Sequence, residues 1–548
     1  MLPTRVACPH CRAALKTSQP LAEGQRVKCP SCGTRFTIGT DRAPATAEDW
    51  FRVGPPPQPA AFAAEPRRGI SWTALALILV GGLAFVGGGI ALAVFCFSSG
   101  KPGRPGDVAA TKDSQLKPAS VAGKDKPGPD KPAVPANAKP GRPRPRLFRG
   151  QQVQVNQTVA RGLAFLRAAQ NADGTWTGAN DTLPNYPAGM TALAGLTLLE
   201  CGAKKDDPDV AKVADYLRGR EQSPNNKIGN TYEISLAILF FDRLGDPKDK
   251  DLIPRLGLRL VAGQNPSGGW TYTCPVLADA DSVLLARLLD QSKGLFSADP
   301  ATSKLRLEPV DPAKLRLDGG AAVPATLAGL AVWQCDTDPA PQWVSDNSNT
   351  QFAVLGLWAA KTRGVPVQRS LALLVARFHK AQNADGSWGY GVSGPQPGTP
   401  SMTCAGLLGL AVGQGLVNEA RGKGKPAPRP AHADPAIKKG LAYLARQIDN
   451  PHKPWQNDSG APQADLYFTW SVERVGVIFG LPSIGGKDWY GWGAEKLVAN
   501  QKINGDQGNW LAGGYFAQHP VVNTCFALLF LKQANLAKDL TAKLQLAE

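Results

Sequence analysis

The chain has 548 residues, 43% of them hydrophobic, and a formal net charge of +17. Residues 101–150 hold twelve Lys or Arg against four acidic residues, so a net +8 belongs to this one segment. The high pI is largely a property of that stretch, whose only aromatic is Phe148, and nucleic acid is not expected as a partner.

The N-terminus opens with Cys8-Pro-His-Cys11 and Cys29-Pro-Ser-Cys32, separated by 17 residues. Two Cys-x-x-Cys turns at that spacing offer the four thiolates of a structural Zn²⁺ site. Residues 1–40 therefore read as a small β zinc ribbon, since about 40 residues fold poorly without such a staple. Four protein ligands leave no open position, so this zinc is not expected to be catalytic. Residues 41–68, rich in Pro and Ala, form a linker.

Ile70 to Phe97 is a run of 28 residues without a charge, long enough to cross a bilayer with some tilt. It begins too far from residue 1 for a cleaved signal peptide, so residues 69–98 read as a single-pass anchor. Arg67 and Arg68 on one side, and Lys101, Arg104, Lys112 and Lys117 on the other, leave orientation undecided by charge. Thiolate zinc ligands favour a reducing compartment. The expected topology thus has the ribbon in the cytoplasm and the C-terminal part outside, on a bacterial cell membrane. Residues 99–150 follow as a basic Pro-rich linker with too little apolar surface to fold.

From 151 onward a phrase recurs. It reads Gln170-Asn171-Ala-Asp173-Gly174-Thr-Trp176, then Gln264-Asn265-Pro-Ser-Gly268-Gly-Trp270, then Gln382-Asn383-Ala-Asp385-Gly386-Ser-Trp388. A looser copy runs from Gln501 to Trp510. An apolar-periodic stretch precedes each Gln, as in Val159, Leu163, Phe165 and Leu166. A nearly uniform apolar helix led by Thr follows, at Thr191, Thr403 and Thr524. The unit is an amphipathic helix, a Gly-Trp turn and a buried helix. Degenerate copies lie at Val210–Glu233 and Ile437–Leu481. The second copy is broken after Trp270 and its inner helix resumes near Ser348, so residues 276–345 read as an insertion. Excising them leaves six hairpins in an all-α unit, residues 151–548.

Six hairpins with Gln…Gly-x-Trp turns resemble the α6/α6 toroid of terpenoid cyclases and protein prenyltransferases. They look like the bacterial prenyltransferase/squalene-oxidase repeat proteins in particular. The resemblance implies that Gln and Trp lock the outer helices together, and that the barrel encloses a cavity for a lipid, isoprenoid, peptide or glycan. The family's catalytic signatures are not intact. Asp279-Ala-Asp281-Ser282 lacks the last Asp of Asp-x-Asp-Asp and lies in the insertion. Asp336-Thr-Asp338 sits in a turn. No Asp-x-Cys accompanies His519, and the thioester motif of complement-type toroids is absent. No cofactor is therefore assigned to the toroid.

Candidate site residues come from two places. Parallel inner helices gather their N-termini at one mouth, where Thr191, Asn230, Thr231, Asp346, Asn347, Asn349, Thr350, Thr403, Asn523 and Thr524 are expected to cap helices or meet a ligand. The apolar stretch Asp465–Phe479 carries Asp465 and Glu473, which either brace the barrel in an ion network with Arg474 or are the candidate catalytic acids, with Asp346 and Asn347 next, and Trp470 with Arg474, candidate cavity residues. The expected function is a membrane-anchored binding module. The alternative is a divergent isoprenoid cyclase or prenyltransferase.

Overall fold

The computed structural model describes residues 5–7, 14–16, 25–28, 35–37, 147, 149–176, 186–299, 304–315, 322–340, 344–392, 396–420, 434–449, 465–511 and 519–545. The chain divides into two compact units, Met1–Ala138 and Lys139–Glu548. In the first, β1 (Arg5–Ala7) pairs antiparallel with β2 (Ala14–Lys16), and β3 (Arg26–Lys28) with β4 (Arg35–Thr37). Cys8, Cys11, Cys29 and Cys32, the expected 69–98 span and nearly all of the two expected linkers lie outside the described residues.

The second unit is mostly helical. Its helices are α1 (Arg149–Ala168), α2 (Pro187–Glu200), α3 (Pro208–Gln222), α4 (Thr231–Leu244), α5 (Leu252–Gly263) and α6 (Asp279–Gln291). The one-turn α7 (Ala325–Ala328), α8 (Asn347–Thr362), α9 (Gln368–Lys380), α10 (Pro400–Ala420) and α11 (Pro435–Ala445) follow. Then come α12 (Leu466–Ile478), α13 (Trp489–Asn500), α14 (Pro520–Lys532) and α15 (Lys538–Gln545).

The nearly all-apolar helices pack on one another in the cyclic order α2, α4, α8, α10, α12, α14, and α14 returns to α2. The amphipathic helices flank this ring: α3 on α2, α5 on α4 and α8, α9 and α11 on α10, α13 on α12 and α14, and α1 on α13 and α14. The ring helices are parallel, because like ends meet. At the C-terminal ends Arg243 pairs with Glu200 at 2.5 Å, Arg363 with Asp242 at 2.6 Å and Lys361 with Glu419 at 2.5 Å. Helix α15 packs on α10 and α12, and Leu540 and Trp358 both press against Gly415. Helix α10 is long and apolar enough to cross a membrane, yet it is 94% buried as a member of the ring.

The recurring phrase is the joint between successive outer helices. The indoles of Trp176, Trp270 and Trp388 donate to the carbonyls of Leu166, Leu260 and Phe378 at 2.7, 2.7 and 2.8 Å. Each thus satisfies an orphan carbonyl in the last turns of its own outer helix. The Gln amides reach outward. Gln170 bridges the Gly174 and Asp209 carbonyls, Gln264 those of Gly268 and Ser370, and Gln382 those of Gly386 and Ala436. One side chain therefore ties its turn to the first turn of the next outer helix. Gly174, Gly268 and Gly386 have φ of +86°, +79° and +93°, and a Cβ there would strike the next outer helix at the carbonyl oxygens of Lys212, Leu373 and Lys439. Only glycine meets both demands.

Within 276–345, α6 packs on α5, and β5 (Phe296–Asp299) forms a hairpin with β6 (Lys304–Leu307). Arg369 of α9 holds this segment: Nε donates to the Val332 carbonyl, Nη1 to Leu295, and Nη2 to Glu308 and Gln334, at 2.9–3.0 Å.

Candidate functional site

Four ring helices begin with side-chain caps, α10 through Thr399, whose hydroxyl accepts from the Met402 amide at 3.3 Å. Asn230 accepts from the Tyr232 amide at 2.9 Å, Asp346 from Asn349 at 2.6 Å and Asp465 from Phe468 at 2.8 Å. The Thr residues expected as caps lie elsewhere. Thr191, Thr403 and Thr524 sit one turn inside their helices, because Pro187, Pro400 and Pro520 start α2, α10 and α14 earlier. Thr350 and Thr403 use their hydroxyls as ties: each donates to the carbonyl four residues back and accepts from the amide of Trp270 or Trp388. The N-terminus of α2 is instead met by Glu233 of α4, whose carboxylate accepts from the Ala188 and Gly189 amides.

The caps set Tyr232, Ser348 and Tyr467 each as the second or first-turn residue of its helix, at one level of the ring. From there a polar chain crosses the interior. The Tyr232 hydroxyl donates to Ser348 Oγ at 2.7 Å, and Ser348 Oγ lies 2.8 Å from the Tyr467 hydroxyl. Gln351 Nε2 donates to the same Tyr467 hydroxyl, and Arg474 Nη2 donates to Gln351 Oε1 at 2.8 Å and Ser471 Oγ at 2.9 Å. Because α10 stands between α8 and α12 in the ring, the bonds joining those two helices run through its inside.

Aromatic side chains surround the chain. The Arg474 guanidinium lies 3.7 Å from the centroid of Trp470 and 5.8 Å from that of Phe352. Trp470 stacks on Phe526 of α14 at 4.7 Å, and Phe352 meets Tyr232 edge-on at 5.0 Å. Toward the outside, Tyr186, Tyr232 and Tyr272 have centroids 6.0–6.5 Å apart. The Tyr272 and Tyr390 hydroxyls lie 3.2 Å apart on rings 43% and 45% exposed. The mouth is thus a tyrosine rim above a buried aromatic interior.

The electrostatics follow from burial. Desolvation holds the Arg474 guanidinium below its ordinary pKa. It raises the Asp346 carboxyl despite the bonds from the Asn349 backbone and side-chain amides. Burial also raises the phenols of Tyr232 and Tyr467.

The candidate residues separate accordingly. Trp470 and Arg474 belong to the interior group. Asp346, Asn347, Asn349 and Thr350 gather at the start of α8 and are engaged in ties: Asn347 donates to the Gly389 carbonyl and accepts from Arg377, whose Nη1 also reaches Ser267 and Ser345. Burial pushes Arg377 down to about 10. Asp465 caps α12 about two turns from Glu473. Glu473 is fully buried, and its charge acts on Arg474 and on Tyr490 of α13, outside the ring. Asn523 is buried on α14. Sequence reasoning passed over Tyr232, Ser348, Gln351 and Tyr467. Their signal is a polar side chain inside a helix that is otherwise apolar all round.

No protein family model matches the chain, and no curated protein sequence is similar to it. Among solved structures, a variant of the type II terpene cyclase MstE from Scytonema in complex with geranylgeranyl dihydroxybenzoate is 14% identical, with 71% of this chain and 99% of that chain covered and a TM-score of 0.43. The apo form of MstE is 13% identical, with 70% and 99% covered and a TM-score of 0.41. A variant in complex with merosterolic acid A is 14% identical, with 72% and 100% covered and a TM-score of 0.42. Likeness this loose fixes neither the activity nor the ligand of this chain.

Proposed function

We propose that residues 151–548 form an α6/α6 toroid that works as a binding module for a compact apolar ligand, lodged inside the ring at the N-terminal ends of its helices. The observation that carries this reading is the polar chain from Tyr232 to Arg474, set among Phe352, Trp470 and Phe526. Ligand sites are mostly apolar with a few convergent polar groups, and this interior has that composition. The test is organic extraction of the purified full chain after extensive detergent exchange, read by mass spectrometry. A stoichiometric isoprenoid or other lipid supports the reading, and a chain that retains nothing from an isoprenoid-producing host counts against it.

The N-terminal part would tether this module. In sequence Cys8 and Cys11 fall between β1 and β2, and Cys29 and Cys32 between β3 and β4. Two antiparallel strand pairs, each with a Cys-x-x-Cys between its strands in the sequence, would suit a structural Zn²⁺ held by all four cysteines. The uncharged run Ile70–Phe97 would cross the membrane once, with the ribbon in the cytoplasm and the toroid outside.

One observation favours a second reading, a divergent isoprenoid cyclase or prenyltransferase. Asp346 is a buried carboxyl whose pKa is raised by desolvation, at the level of the tyrosine rim, and a general acid needs such a shift. In that reading Asp346 would donate the proton, with Glu473 and Asp465 as the other candidate acids. Turnover of squalene or geranylgeranyl diphosphate that disappears in Asp346→Asn, while the fold persists, would select it.

A further inference from the structure

Arg474 carries more hydrogen-bond donors than the protein itself uses. Its side chain is 3% exposed, Nη2 donates to Gln351 and Ser471, and neither Nε nor Nη1 has an acceptor among the described residues. The other deeply buried arginines of this unit provide an internal comparison. Every nitrogen of Arg259, Arg369 and Arg377 donates to a carbonyl, carboxylate, hydroxyl or amide oxygen. Buried donors are normally satisfied, so an arginine that differs from its neighbours in this way has a place for an acceptor.

The surroundings define that acceptor. The guanidinium rests on the face of Trp470, backed by Phe352, which leaves its edges to make hydrogen bonds. The groups acting on its charge are Tyr467, Cys404 and, more weakly, Glu473. Among the described residues Arg474 is the cation acting on Tyr467 and Cys404, and Asp465 acts on both with the opposite sign, as Asp346 does on Tyr467. A singly charged anion adds the least negative charge beside these carboxyls. A phosphate dianion would bring a second, uncompensated negative charge into a dry site. The aromatic wall requires that the rest of the ligand be apolar.

We propose that Arg474 anchors the carboxylate of an apolar acid bound inside the ring, with Nη1 donating to a carboxylate oxygen while Gln351 and Ser471 hold Nη2 and so orient the guanidinium. This rests on the interior being the ligand site and adds the chemical class of the ligand. The donors are closed to water, so the carboxylate reaches them as the Gln351–Tyr467 pair parts, and dry donors discriminate strongly between an anion and a neutral group.

The test uses the full chain in a nonionic detergent and three probes with one dansyl-bearing undecyl tail, ending in a carboxylate, an alcohol or a phosphate monoester. Energy transfer from protein tryptophan reports binding. The expected result is that the acid binds about tenfold to a hundredfold more tightly than the alcohol. In Arg474→Gln the acid should fall to the level of the alcohol, whose affinity is unchanged. Equal affinity of acid and alcohol for the wild type means that ordered water alone fills the donors; this overturns the inference but leaves the interior site standing. Tighter binding of the phosphate overturns the assignment of a carboxylate. Equal loss of both ligands in Arg474→Gln overturns the anchor. Failure of all three probes to bind overturns the interior site as well. Should Arg474→Gln fail to fold, the acid-to-alcohol ratio of the wild type decides alone.

Discussion

Replacing Gly386 with Ala tests whether the repeat turn docks on the next outer helix. Gly386 has φ +93°, and its added Cβ would lie 2.4 Å from the Lys439 carbonyl oxygen and 2.7 Å from the carbonyl carbon in α11. Gly364 supplies the control, with φ +88° and nothing within 4 Å of its Cβ. Both substitutions force an L-residue into left-handed backbone, which costs about 1–2 kcal/mol. Only Gly386→Ala adds a collision with backbone that cannot rotate away, comparable to overpacking at about 1–3 kcal/mol. Gly364→Ala should therefore lose about 1–2 kcal/mol and Gly386→Ala about 2–5 kcal/mol. Urea unfolding followed by near-ultraviolet circular dichroism reads the difference, since Trp388 is fully buried beside this turn. Equal losses in the two variants would refute the docking.

Three further outcomes follow from the same geometry. Arg369→Met removes the donors that hold four carbonyls of the 276–345 segment, so hydrogen exchange in β5 and β6 should accelerate while α12 is unaffected; unchanged exchange there contradicts the clamp. The Asp173 and Asp385 carboxyls are held below their ordinary value of 3.8 by Thr175 and Ser387. Their contribution is present above 3.8 and lost as pH falls through the lower folded values, so a double Asp→Asn variant should show a shallower loss of stability below about pH 4. Chelation at the N-terminus should release one Zn²⁺ per chain and leave the near-ultraviolet signal of the buried tryptophans intact; Cys11→Ser should abolish that release, and an absence of zinc from the wild type contradicts the ribbon.

How much was legible in the sequence depended on how local the physics is. The repeat phrase could be read because each residue acts within its own turn or on the next helix: glycine supplies the backbone angle, tryptophan meets a carbonyl ten residues back, glutamine reaches the next helix start. The Thr residues were harder. A Thr at the head of an apolar run looks like a cap, but a proline three or four residues earlier had already begun the helix in α2, α10 and α14. The hairpin of β5 and β6 escaped because strands of four residues with one half-buried face carry little periodic signal. The interior chain escaped for another reason. Tyr232 and Ser348 are 116 residues apart, and Gln351 and Arg474 are 123 apart, so only the closure of the ring brings them together.

The central claim is that a ligand sits inside the ring at the helix N-termini, and photo-crosslinking locates it most directly. The full chain would be irradiated with a diazirine-bearing apolar acid and its adducts mapped by peptide mass spectrometry. Adducts concentrated on the first turns of α8, α12 and α14, around Phe352, Trp470 and Phe526, are the predicted result. Adducts confined to the outer helices or to the 276–345 segment would contradict it.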